Sequence, residues 1–410
     1  MGGTTADGVA GRRFLEDNRI AAKGPVAINP IPGTAVRYAS LDAVRGIAAF
    51  SVLLFHTNWP SHPTLLAFSR NCYTFVDLFF LLSGFVIAAS YHNRVATSDQ
   101  IATFFKRRIF RLYPLHWAIL AFLASIELLK LFAQFRGGHL VGATHDAFTG
   151  AKDARQLIVN MFLLQGVGLF PHPSWNPPAW SVSAELVAYA LFAAAGYLGL
   201  LRKHSFVTAI AVLGLAIYAV LAYRFGSLDL TSDYGIARCL AGFPIGVAIY
   251  QLASNGWFDG LERLSPRVLS ALEAFVVLGL FYVLEMAQGG RIWFILPVFI
   301  ALLVLFQLEG GSLSQALRSR PFQFLGAASY SIYLIHVPIR NLLVNLAERL
   351  GAPMQSAVAG QKILKITPME GDALLLLFVM LTLIGAVLTF RTIEEPARLF
   401  GRRISVSDRP

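Results

Sequence analysis

Leu41–His56 reads LDAVRGIAAFSVLLFH. The stretch is apolar for most of its length, yet it carries Arg45 and, eleven residues later, His56. At about 100° per residue, eleven residues complete roughly three turns, so the two side chains share one helix face, about 16 Å apart along the axis. An arginine inside an apolar span is costly unless it meets a partner or lines a cavity. Asp42, three residues earlier, is a local partner. An Asp42–Arg45 pair that only orients the helix, beside a histidine satisfied at the interface, is the plainer alternative. A cation and an imidazole on one face favour instead a membrane helix that lines a working cavity.

The rest of the chain suits such a helix. Of 410 residues, 56% are hydrophobic and 14% charged, where a soluble domain carries about 25% charged residues. Mean hydropathy is +0.60. Apolar runs recur at 38–56, 75–91, 114–134, 179–200, 206–223, 236–252, 268–285, 292–308, 325–346 and 373–391. The expected fold is all-α: a polytopic membrane helix bundle of about ten transmembrane helices. An eleventh apolar stretch, 156–170, is short and runs into FPHPSWNPPAW, whose prolines break a helix. Positive charge decides its status. If it does not span and the N-terminus is cytoplasmic, 21 Lys and Arg fall in inside segments and nine in outside loops. If it spans, every later loop flips and the bias vanishes. The expectation is therefore a re-entrant or interfacial segment near 156–178, with both termini cytoplasmic.

Residues 1–36 are polar and lack an apolar h-region, which predicts a disordered cytoplasmic tail rather than a signal peptide. Residues 37–400 are expected as the membrane-embedded domain and 401–410 as a second cytoplasmic tail. The net charge of +11 follows the positive-inside bias in a bilayer protein and does not call for nucleic acid. Cys72 and Cys239 form neither a disulfide framework nor a metal-ligand pattern, and no metal is expected. Nothing in the sequence sets an oligomeric state.

A second cluster follows the second span. In FFKRRIFRLYPLHW, Lys106, Arg107, Arg108 and Arg111 crowd together, and Arg108 and Arg111 share a helical face. Anchoring to anionic lipid accounts for such a cluster simply. A planar guanidinium fork also suits phosphate oxygens. A polyphosphorylated carrier held by Arg108 and Arg111 could extend a thin arm past Arg45 to His56, and the pantetheine arm of coenzyme A has about that reach.

Other candidates are less decided. Glu185 lies a few residues into the fourth span, where it could meet His56 and fix its tautomer. Asp77 fits a helix-start position, and Ser83 beside Gly84 fits close packing. Trp175, Asn176 and Trp180 belong either to an aromatic belt or to a sugar-stacking platform. Tyr330, Tyr333 and His336 follow helical spacing and are expected as packing, with pocket lining as the second reading. Arg238, inside a span, is expected to face the cavity.

Taken in order, LDAVRGIAAFSVLLFH, FVDLFFLLSGFVI, KRRIFRLYPLHW, PPAWSVSAELVAY, RCLAGFPIGV, LGAASYSIYLIHVPI and EEPAR resemble the acyltransferase 3 family from about Leu41 to Arg398. The family's Arg-x10-His motif falls on Arg45 and His56, and its Arg-x-x-Arg motif on Arg108 and Arg111. Its WSLSVE appears as WSVSAE, which places the glutamate at Glu185. The resemblance implies a stand-alone form without a fused hydrolase-like domain, in a bacterial inner membrane. It also implies an acyl-CoA donor, most often acetyl-CoA, and a carbohydrate or glycolipid acceptor such as exopolysaccharide or O-antigen. His56 is then the general base or the acyl carrier, oriented by Glu185, with Arg45, Arg108 and Arg111 on the donor and Trp175, Asn176 and Trp180 on the acceptor. A small-metabolite acceptor such as a macrolide stays open, as does a sugar or anion transporter, although the sequence shows no inverted repeat.

Overall fold

The computed structural model describes residues 37–138, 146–287, 289–356 and 362–407. The expected tail 1–36 and residues 408–410 lie outside the described residues.

Each expected span falls on a helix. In chain order these are α1 (Ala39–Phe55), α2 (Phe75–Tyr91), α3 (Ser98–Phe135), α5 (Ala179–Tyr197), α6 (His204–Phe225), α7 (Gly235–Ser254), α8 (Pro266–Met286), α9 (Ile295–Phe306), α11 (Ser329–Arg349) and α12 (Pro368–Thr389). Among the shorter helices are α4 (Ala154–Met161), α10 (Arg320–Ala327) and α13 (Glu395–Ser407). Among the described residues, seven helical stretches are long and apolar enough to cross a membrane, or eight if α10 and α11, bent by 67°, are taken as one span. The chain is a polytopic helical membrane protein. The other two expected spans, α1 with 17 residues and α9 with 12, are short. Both are lined with buried residues, so protein rather than lipid surrounds much of their length.

Among the described residues between α3 and α5, no helix is long enough to cross a membrane. α4 has eight residues, which rise about 12 Å against an apolar thickness of about 30 Å. Turns then lead to Pro178, with Leu163 and Trp175 at φ of 54° and 55°. α3 is longer than the apolar run inside it. It begins at Ser98, where the Thr97 side chain accepts the Gln100 N–H, so the basic cluster and the span share one continuous helix. α13 runs on through Ser407, into residues expected as a tail. A small antiparallel ribbon, β1 (Met354–Ser356) with β2 (Lys362–Leu364), pairs Met354 with Leu364.

Small residues set the central contacts. A Cβ on Gly84 of α2 would overlap the Phe243 carbonyl of α7, and one on Gly246 of α7 would overlap the Leu81 carbonyl. The two backbones therefore touch, as small-residue interfaces allow in membranes. Gly46 of α1 similarly meets the Leu325 backbone of α10, where a Cβ would lie 2.6 Å from the carbonyl carbon.

A buried ion pair fastens the same layer. Arg238 Nε donates to Asp77 Oδ1 at 3.0 Å and Nη2 to Oδ2 at 2.7 Å. Tyr218 donates to Asp77 Oδ1 at 3.0 Å, and Arg238 Nη1 donates to the Leu230 carbonyl at 2.8 Å. Asp77 lies in the first turn of α2, the expected helix-start position, and is also the counter-ion of Arg238. One expectation is corrected: Arg238 faces Asp77 rather than a cavity. A guanidinium with 1% of its side chain exposed needs a carboxylate fork and further acceptors to offset desolvation.

Candidate active site

The site has two ends joined by α1. At one end, His56 closes the last turn of the helix. Its Nδ1 lies 2.9 Å from the Val52 carbonyl and 3.2 Å from Nε2 of His336 on α11. His336 Nδ1 in turn lies 3.2 Å from the Ile332 carbonyl. A carbonyl only accepts, so Nδ1 of neutral His336 carries the proton and its Nε2 is an acceptor. His56 Nδ1 then faces two acceptors and carries the hydrogen. The lone pair of neutral His56 is left on Nε2, the tautomer a general base requires.

α11 is shaped to deliver His336. Pro338 has no N–H, which frees the Leu334 carbonyl one turn earlier. Asn176 Nδ2 donates to that carbonyl at 2.9 Å. Ser181 and Tyr333 hydroxyls meet at 2.8 Å, and the Tyr333 ring centroid is 5.9 Å from that of His336. Arg340, one turn beyond His336, donates to the His56 carbonyl at 3.1 Å and to Asn341 at 2.8 Å. The Leu364 N–H of β2 donates to the Asn58 carbonyl at 3.1 Å, tying the ribbon to the chain just after His56.

The other end is rich in arginine. Arg45 pairs with Asp42 at 3.2 Å, and Arg111, Glu185 and Tyr189 lie within electrostatic range of it. Arg108 donates to the Tyr91 hydroxyl at 3.3 Å and sits 5.3, 5.8 and 5.8 Å from the ring centres of Tyr91, Phe104 and Tyr189. Its Nε is buried without a partner. Arg111 has no hydrogen bond or ion pair to a described residue.

Glu185 is placed differently from its expectation. Its Oε1 accepts from Ser83 and from Tyr189, and its charge reaches Arg45 and Arg108. It makes no hydrogen bond to His56, whose partners are Val52 and His336. The physical reason is depth: Glu185 pairs with Ser83, mid-way along α2, whereas His56 lies beyond the last residue of α1. Ser83 therefore serves as a donor to Glu185 as well as lying in a close-packed layer.

The three outer candidates also differ from expectation. Trp175 is 2% exposed, Asn176 0% and Trp180 5%. Trp175 donates to the Asp153 carbonyl at 3.1 Å, and Trp180 lies over Arg238 at 5.4 Å. Neither ring is an open stacking platform or a lipid-facing belt, because both are used to close the segment before α5. Lys152 donates to the Trp175 carbonyl and lies over its ring at 5.3 Å, and burial pushes its ammonium down to about 8.

The sequence suggests packing for His336 and does not single out Arg340. Their signal was present: two ionisable side chains four apart inside an apolar run, hence on one face. Among the described residues, no three His, Cys, Asp or Glu side chains converge as a metal site.

A membrane bundle with an available imidazole nitrogen at one end and unsatisfied arginines at the other has the parts of an integral-membrane acyltransferase. Comparison with known proteins makes the class explicit. The acyltransferase domain family matches residues 38–391. The acyltransferase MdmB of Streptomyces mycarofaciens is 24% identical over 409 residues, covering 93% of this chain and 97% of that one. The peptidoglycan O-acetyltransferase OatA of Listeria monocytogenes is 24% identical over 388 residues, covering 88% of this chain and 56% of that one. No solved structure matches. The chain belongs to the acyltransferase 3 family and is a membrane O-acyltransferase.

Proposed function

We propose that the enzyme moves an acyl group, acetyl in the simplest case, from acyl-CoA bound at the arginine-rich end to a carbohydrate hydroxyl at the histidine end. The arginine-rich end faces the cytoplasm of a bacterial inner membrane, in keeping with the positive-inside bias. The single observation that carries this is the two-ended site on α1: Arg45 among unsatisfied arginines, and His56, eleven residues on, with its Nε2 lone pair available. Arg108 and Arg111 hold phosphate oxygens. Arg45 faces the thin arm of the donor. A peptidoglycan-directed relative supports the carbohydrate acceptor.

His56 Nε2 takes the proton from the acceptor hydroxyl. The oxygen attacks the thioester carbonyl, the carbon–sulfur bond breaks and the thiolate leaves. The imidazolium returns its proton to the thiolate, giving an ester and free coenzyme A. His336 accepts from His56 Nδ1–H throughout and so holds the ring and its tautomer; it is a positioning residue.

The test follows thiol release from acetyl-CoA by the purified chain in detergent, with and without a sugar acceptor pool. His56→Ala should lose about 10²–10⁴-fold in rate, the usual worth of a general base, while still binding acetyl-CoA. Retention of full transfer by His56→Ala would remove His56 from the chemistry. Failure of the wild type to bind acetyl-CoA would remove the donor.

A further inference from the structure

Besides Arg45, five arginines of α3 and α13 gather at the arginine-rich end, more than one diphosphate requires. α3 supplies Arg107, Arg108 and Arg111. α13 supplies Arg398 and Arg402, four residues apart and so on one helix face. α13 packs along α3. Gly401 permits the approach, since a Cβ there would lie 2.5 Å from Phe110 Cβ, and the Phe110 and Phe400 rings meet edge-on at 5.3 Å. The charges of Arg107, Arg108 and Arg111 reach Arg402, and those of Arg111 and Arg402 reach Arg398.

Carboxylates offset only part of this cluster. Glu394 accepts from Ser331 at 2.6 Å and its charge reaches Arg111 and Arg398, Glu395 pairs with Arg398 Nη2 at 3.8 Å, and the Glu185 charge reaches Arg108. Arg402 has no hydrogen bond or ion pair to a described residue. The Nε atoms of Arg107, Arg108 and Arg398 are all buried without a partner. Like charges with buried, unsatisfied donors are unfavourable unless an anion completes them. Guanidinium forks from two helices match a dianionic phosphomonoester.

We propose that Arg398 and Arg402 of α13, with Arg107 of α3, form a second anion subsite that holds the ribose 3′-phosphate of coenzyme A, beyond the diphosphate at Arg108 and Arg111. The subsite rests on the acyl-CoA reading of the donor and makes it specific: the enzyme distinguishes coenzyme A from its 3′-dephospho form. A lipid headgroup shares the phosphate chemistry, and the test separates the two sources.

Binding of coenzyme A and of 3′-dephospho-coenzyme A is titrated calorimetrically to the full chain in nanodiscs of phosphatidylcholine, with and without phosphatidylglycerol. The wild type should prefer coenzyme A by about tenfold or more, since charge-assisted bidentate bonds are lost with the phosphate. Arg402→Gln and Arg398→Gln should bring the ratio close to one while keeping the affinity for the dephospho form, which shows that the variants are folded. Arg402→Lys should fall between, because the charge remains and the fork is gone. Equal wild-type affinity for both ligands would overturn the subsite and leave the donor standing. Binding of neither would overturn the donor and the subsite with it. An unchanged ratio in the variants, with a phosphatidylglycerol-dependent stabilisation lost in Arg402→Gln, would overturn the subsite in favour of a lipid phosphate.

Discussion

At the residue scale, the chemistry depends on which atom of His56 is free. Its Nδ1 is committed to Val52 and His336, so a change at His336 acts through the tautomer and ring position, not through substrate contact. His336→Ala should lower kcat by on the order of 10–100-fold with the donor KM unchanged, as small misplacements do. His336→Gln, whose amide oxygen can accept from Nδ1–H, should recover part of the loss. A raised donor KM with an intact kcat would place His336 elsewhere. Glu185 acts at the other end. Its carboxylate sits among arginines, so Glu185→Gln should tighten coenzyme A by up to about tenfold, the worth of roughly one unit charge at a high effective dielectric. The pH–rate midpoint that reports His56 should stay in place. A displaced midpoint would restore Glu185 to the imidazole. Arg45 and His56 were legible as sequence because ionisable groups are rare in apolar spans, and Arg108 and Arg111 because their spacing puts them on one helix face within a basic cluster. The partner of His56 was not, since His336 lies 280 residues away.

At the element scale, two features control how the helices present these groups. The first is backbone contact between α2 and α7 at Gly84 and Gly246. Gly84→Ala should force the pair apart and cost about 1–3 kcal/mol, as overpacking does, read as a lower unfolding temperature in detergent. An unchanged melting temperature would show that the layer has slack. The second is the proline in α11. Pro338 releases the Leu334 carbonyl, and Asn176 takes it up, so the turn segment before α5 is tied to the helix carrying His336. Prolines in the sequence marked both places. Nothing in the sequence connected them, because a freed carbonyl can be satisfied by any neighbour with a donor.

At the scale of the whole molecule, the bundle is organised around a buried pair between α2 and α7. Asp77→Asn would leave the Arg238 guanidinium without its counter-ion, and such losses cost about 3–5 kcal/mol. The expected outcome is poor yield and a lower melting temperature for Asp77→Asn, with recovery when Arg238→Met is added to Asp77→Leu. A wild-type melting temperature for Asp77→Asn alone would show that the pair is hydrated. Both residues were visible as charges in apolar runs, yet the sequence suggested a helix-start position for one and a cavity for the other, since pairing across 161 positions leaves no local trace.

By itself the sequence determined the class of the molecule, a multi-helix membrane bundle, the approximate place of its ten expected spans, and a short, proline-broken stretch near 156–178. These follow from hydropathy and periodicity, which are local. Only the tertiary structure decided that Glu185 belongs with the arginines, that His336 holds His56, that Asp77 neutralises Arg238, and that α13 brings Arg398 and Arg402 to α3. Each of these depends on depth along a helix and on which faces meet, and those are set by packing of the whole bundle rather than by any one stretch of chain.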